Sequence, residues 1–193
     1  IELNPFNPGY YYTRGYIYRQ LDDYEKALEH YGRAYGIFLE SFRCNPADLV
    51  SLHDLCKNLK AQIDLCWIMG MRADSALNTL MQLTQYAVQT YPNDVESSIL
   101  FMQARVVRLC YAALSDTMEG IVEEGRQVMA LVEQLTRRGV RYTYFEKRYV
   151  LTTIRVLQAN GHIDEADGVK TSYLHLRDEL VGSRKAVPEW FEV

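Results

Sequence analysis

The run from Gly15 to Ala34, GYIYRQLDDYEKALEHYGRA, decides the fold. It reads as two helical stretches around an acidic turn at Asp22 and Asp23. Gly15 is the small residue at which two helices touch, with Tyr18 behind it, and Ala27, Tyr31 and Ala34 lie along one side of the second helix. Leu28, Tyr31 and Tyr35 extend its apolar face, because intervals of three and four residues stack side chains on one side of a helix. The carboxylates Asp22, Asp23 and Glu25 fall at the helix start, where negative charge meets the positive end of the helix dipole.

Outward from this run the same periodicity continues. After Asn45 and Pro46, the positions Leu49, Leu52, Cys56, Leu59, Ile63 and Cys66 step by three and four residues in alternation, drawing one stripe toward a core. Leu77, Leu80 and Leu83 form another such face, and strand-like alternation of β-branched residues is scarce, so the chain reads as all-helical. Breaks fall at Asn7-Pro8-Gly9, Asn45-Pro46, Tyr91-Pro92-Asn93-Asp94, Arg138-Gly139 and Asn160-Gly161. Proline opens helices and glycine closes them.

The motif DYEKA has echoes in MRADSA at 71 to 76, GIVEEG at 120 to 125 and GHIDEA at 161 to 166. Their small residues are Ala27, Ala76, Gly125 and Ala166, which lie 49, 49 and 41 residues apart. The residue three before each one (Tyr24, Ala73, Val122 and Ile163) is expected to plug the turn, and the small residue to let the second helix approach the first.

The Gly15 to Ala34 run and its echoes resemble the tetratricopeptide repeat family, whose period is about 34 residues. The longer spacing here corresponds to whole added helical turns, which keep the same faces inward. The resemblance implies an all-α, right-handed superhelix of about four antiparallel hairpins, an α-solenoid spanning residues 1–193 as one domain. Its hairpins would occupy residues 7–44, 46–91, 93–139 and 141–182, with 183–193, including Pro188, Trp190 and Phe191, as a terminal cap or a linker.

Composition agrees with a folded chain. Of 193 residues 48% are hydrophobic, 24% are charged and only five are proline, which excludes disorder. A net charge of −4 argues against nucleic acid as a partner. No apolar run reaches the ~18 residues of a membrane span. Cys44, Cys56, Cys66 and Cys110 form no C-x-x-C pair, so they read as reduced small hydrophobes rather than zinc ligands. The absence of disulfide and zinc spacings places the chain in the cytoplasm, with the periplasm open should a signal or anchor lie outside this stretch. Starting at Ile1 rather than Met, it reads as a processed or excised piece.

Chemistry-bearing motifs are absent. His30, His53, His162 and His175 sit in no H-E-x-x-H, and there is no nucleophile elbow, Walker loop or glycine-rich dinucleotide fingerprint. Glu123 and Glu124, like Asp164, Glu165 and Asp167, are accounted for by helix starts. No catalytic residue, metal ligand or cofactor is expected.

Two features point to binding. Fifteen tyrosines include a dense group at Tyr10, Tyr11, Tyr12, Tyr16 and Tyr18. In the resemblance Tyr11 and Tyr18 take packing slots, while Tyr12, Tyr16 and Arg19 take slots that line a concave groove. Tyrosine is enriched at interfaces, although packing accounts for such a group equally well. The second feature is a basic stretch, Arg137, Arg138, Arg141, Lys147, Arg148 and Arg155, against the single acid Glu146. The same mapping puts Arg148, Arg155 and Gln158 in groove slots, where arginine can clamp an acidic side chain or a free carboxylate. A solvated charged face is the plainer reading.

The expectation is a non-enzymatic scaffold for a protein or peptide, the interaction or sensory part of a larger regulatory protein. The alternative is a small-molecule-sensing domain that passes a helix shift to an effector.

Overall fold

The computed structural model describes the backbone of residues 6–114, 119–138 and 145–182 and, within them, the side chains of 6–112, 120–138 and 150–176. The described residues form eight helices and no strand: α1 (Pro8–Gln20), α2 (Tyr24–Cys44), α3 (Leu49–Ile68), α4 (Asp74–Thr90), α5 (Val95–Leu114), α6 (Glu119–Arg137), α7 (Phe145–Ala159) and α8 (Ile163–Gly182). Adjacent helices pack on each other, consistent with an all-α solenoid of hairpins. Their lengths bear out stretched helices: α1 has 13 residues and α7 has 15, but α2, α3, α5, α6 and α8 have 19 to 21.

Helix ends follow local chemistry. Asn7 accepts a hydrogen bond from the Gly9 amide at 3.0 Å with Pro8 in the first turn. Asp23 caps α2 through the Lys26 amide at 3.3 Å, and Asp48 caps α3 through the Val50 amide at 3.1 Å. Each cap satisfies an amide that helix geometry leaves without an intrahelical partner. Between α1 and α2 the turn residue Asp22 takes a left-handed φ of 57°. Gly70, with φ of 69°, closes α3 as the Met71 amide returns to the Cys66 carbonyl at 2.8 Å.

Two compact units divide the chain within α5, residues 1–104 and 105–193. In the first, α1 packs on α2, α2 on α3 and α3 on α4. One cluster joins Ala27 and Tyr31 of α2 to Ala61 and Leu65 of α3, with Tyr12, Tyr18, Tyr24 and Leu28 against it. A second joins Ala34 and Phe38 to Leu55, with Tyr11 and Tyr12 among the residues packed on it. In the second unit α6, α7 and α8 pack pairwise.

The small residues behave differently from one repeat to the next. Gly15 meets Tyr31 so closely that a β-carbon would lie 2.8 Å from the ring. Gly125 instead faces Thr153 and Leu157 of the following helix α7, at 3.4 and 3.5 Å from an added β-carbon, an ordinary contact. The expected turn plug Ile163 is 51% exposed: it is the first residue of α8, and the turn is closed by Gly161 and His162 bonding back to α7. Arg138 lies in the turn after α6, and Gly139 lies outside the described residues, as does the segment 183–193.

Candidate functional site

In the first unit, Tyr12, Tyr16 and Arg19 follow one side of α1. Tyr12 is half-buried, its ring 5.3 Å from that of Tyr31 and tilted by 54°. Tyr31 is fully buried, and burial foremost pushes its hydroxyl up to about 12, opposed by the hydrogen-bonding guanidinium of Arg19. One turn beyond Tyr12, Tyr16 stands 53% exposed. An open tyrosine thus sits beside one held by the core and an arginine anchored on the core.

Facing Tyr12 are charges from α3. Burial raises the Tyr12 hydroxyl pKa, with Lys57 and Arg19 opposing and Asp54 and Asp64 reinforcing it. Lys57 pairs with Glu96 of α5 at 3.0 Å, and Lys60 pairs with Asp64 at 2.7 Å. Asp54 forms no ion pair among the described residues; burial holds its carboxyl above the ordinary value despite Lys57 and His53. Sequence reading missed this charged partner face, because Asp54, Lys57 and Asp64 are spread through an otherwise buried helix and look like ordinary breaks in its stripe.

The surrounding histidines are structural. His30 is 8% exposed and lies parallel to Tyr18, ring centres 5.2 Å apart, with Tyr11 also stacked on it at 6.2 Å. His53 Nε2 lies 2.9 Å from the Ser97 hydroxyl and 3.2 Å from Asp94, so one nitrogen meets both groups. A catalytic triad would hold the acid on the opposite ring nitrogen. Asp94 also accepts the Ser97 amide at 2.7 Å and caps α5.

In the second unit Arg155 and Gln158 are both exposed on α7, three residues apart on neighbouring helix positions. The Arg148 side chain lies outside those described. Neither Arg155 nor Gln158 enters the cleft between α6 and α8, a volume of ≈ 690 Å³ with Val122, Met129, Val169 and Leu176 among its apolar walls and Arg126, Glu133 and His175 among its polar ones. That cleft is assembled mainly from α6 and α8, which are not adjacent in sequence, with Leu157 of α7 between them, which is why no motif announces it.

Glu124 corrects the expectation that its carboxylate merely marks a helix start. It is 6% exposed and bound by two arginines of α5, with Arg105 Nη1 at 3.0 and 3.2 Å from its two oxygens and Arg108 closing on Oε1. Burial lowers the pKa of both guanidiniums. The four cysteines are free, and burial pushes the Cys56 thiol up to about 12, leaving it an unreactive hydrophobe. Among the described residues no cluster of three His, Cys, Asp or Glu could hold a metal, and no helix is long and apolar enough to cross a membrane.

Helical hairpins with a small-residue contact at the first turn define a helical-repeat protein. Residues 1–29 match the family model described as tetratricopeptide repeat, and the all-helical structure is consistent with repeats of that kind. Comparison with curated proteins finds no match. The family match indicates a protein-interaction scaffold.

Proposed function

We propose that the chain is a non-enzymatic scaffold that binds a protein or peptide segment, as the interaction or sensory part of a larger regulatory protein. The observation that carries this reading is the pairing of open Tyr16 with core-held Tyr12 and Arg19, next to the charges of α3. Rigid aromatic area beside polar groups is the composition of binding hot spots, since little side-chain entropy is lost on contact. In the second unit Arg155 and Gln158, with Arg148 on the same helix, would receive an acidic side chain or a free carboxylate. Selection of a displayed random-peptide library on the full chain tests the reading. Enriched sequences that also bind a Tyr16→Ala, Arg155→Ala chain equally well would contradict it.

A second reading rests on the α6–α8 cleft, whose ≈ 690 Å³ falls within the range of small-molecule sites. A metabolite-sized compound that raises the melting temperature of the chain, and fails to do so with Ala130→Trp, would favour ligand sensing.

A further inference from the structure

The first hairpin builds one arrangement of three groups twice. Lys26 Nζ lies 5.4 Å from the centre of the Tyr18 ring and is held by Asp23 at 2.7 Å. The Arg33 guanidinium lies 6.0 Å from the centre of the Tyr11 ring and is held by Glu29 at 2.7 Å. In both, a cation rests over a tyrosine ring, whose face is negative, while a carboxylate fixes its position. Tyr10 also carries a cation, with Arg14 Cζ 5.5 Å from its ring centre. Among the described residues no cation of the chain lies over Tyr12 or Tyr16.

Tyr12 nonetheless has a carboxylate beside it. Its ring packs on the cluster that contains Leu55, and the charge of the neighbouring residue Asp54 reaches its hydroxyl. Asp54, Lys57, Lys60 and Asp64 follow one side of α3 at steps of three, three and four. Three of these four charges are matched within the fold, Lys57 by Glu96 at 3.0 Å and Lys60 with Asp64 at 2.7 Å. Arg19, the other cation that acts on Tyr12, is engaged by the Tyr31 hydroxyl. Asp54 is half-buried, with neither an ion pair nor a hydrogen-bond donor among the described residues. A carboxylate that loses hydration without gaining a partner is unfavourable, so packing within the fold gives no reason for an acid at this position.

Resting on the reading of this face as a peptide-binding one, we infer that Tyr12, Tyr16 and Asp54 receive an arginine side chain of the bound segment, stacked against the tyrosines with its guanidinium on the Asp54 carboxylate. The bound arginine completes with Tyr12 and Asp54 the same triple that Arg33 makes with Tyr11 and Glu29. Arginine suits these groups better than lysine, because its planar guanidinium both stacks on an aromatic face and forks onto a carboxylate. Asp54 is thus the residue that sets the specificity of the first unit, and the residue it selects is basic.

Peptides selected from a displayed random library on the full chain should carry an arginine, and those selected on Asp54→Asn should not. Asp74→Asn makes the same change of net charge on α4 and should keep the preference. Replacing the arginine of a selected peptide by citrulline, which has the same shape without the charge, should weaken binding to the parent at least about tenfold and to Asp54→Asn less than about twofold. The melting temperature of Asp54→Asn should not fall below the parent's. Selected peptides without arginine, a citrulline effect of equal size in the parent and Asp54→Asn, or a lowered melting temperature overturns the inference, and the binding face stands if Tyr16→Ala still weakens the same peptides. Peptides that bind Tyr16→Ala as tightly as the parent overturn the binding face and the inference with it.

Discussion

A β-carbon on Gly15 would lie 2.8 Å from Cδ1 and 2.9 Å from Cε1 of Tyr31, inside the distance that real side-chain carbons keep. Tyr31 cannot yield easily, since its ring is 1% exposed and wedged by Tyr12. Alanine is the better helix former by about 1 kcal/mol. Overpacking costs about 1–3 kcal/mol and wins here, so Gly15→Ala should destabilise by roughly 1–2 kcal/mol in urea unfolding. Gly125→Ala is the contrasting case. Its added carbon meets Thr153 at an ordinary 3.4 Å, so the helix preference prevails and stability should rise by roughly 0.5–1 kcal/mol.

Glu124 holds two arginines, Arg105 largely buried and Arg108 partly exposed. Glu124→Ala removes the buried carboxylate that both Arg105 and Arg108 reach, and should cost about 3 kcal/mol in the same measurement. Glu123→Ala, one residue away and exposed, should change stability by less than about 0.5 kcal/mol.

His30 gives a pH signature. Burial foremost, then the charge of Arg14, lowers its folded pKa below the ordinary value near 6.5. The unfolded chain therefore binds a proton that the folded chain refuses, and stability falls as pH drops from about 7 through the folded pKa. His30→Phe keeps a ring between Tyr11 and Tyr18 and removes the titration. Unfolding measured from pH 7.5 to 5.5 should show a smaller loss in that variant than in the parent.

Asp94 acts in the opposite sense and in a lower window. Burial is the largest single influence and raises its pKa, but the Ser97 amide and hydroxyl together with His53 outweigh it, and the net shift is downward. Its contribution is present above the ordinary carboxylate pKa and is lost as pH falls through the depressed folded value. Asp94→Ala should cost about 1–2 kcal/mol at neutral pH by removing the α5 cap and releasing His53.

The hairpin design was legible in the sequence because it rests on local rules. The turn signals Asn7-Pro8-Gly9, Asn45-Pro46 and Tyr91-Pro92-Asn93-Asp94 stand just before helix starts, and Gly15 as a helix contact follows from spacing within one hairpin. What escaped depends on residues far apart in the chain. Glu124 has the composition of a helix start, and its meaning comes from Arg105 and Arg108 on another helix. Asp54 and Lys57 interrupt a buried stripe, and only the packing of α1 and α3 on the same helix α2 brings them near Tyr12. Ile163 has the spacing of a turn plug, yet that turn is closed by the backbone amides of Gly161 and His162.

The proposed binding face stands or falls on Tyr16. The most direct measurement is titration calorimetry of a library-selected peptide against the full chain, Tyr16→Ala and, as a control, Tyr86→Ala, another exposed tyrosine, on α4 and edge-on to Phe42. A hot-spot tyrosine contributes about 1.4–2 kcal/mol or more, so Tyr16→Ala should weaken binding at least roughly tenfold while Tyr86→Ala leaves it unchanged. Equal affinity for the parent and Tyr16→Ala would contradict the assignment of this face.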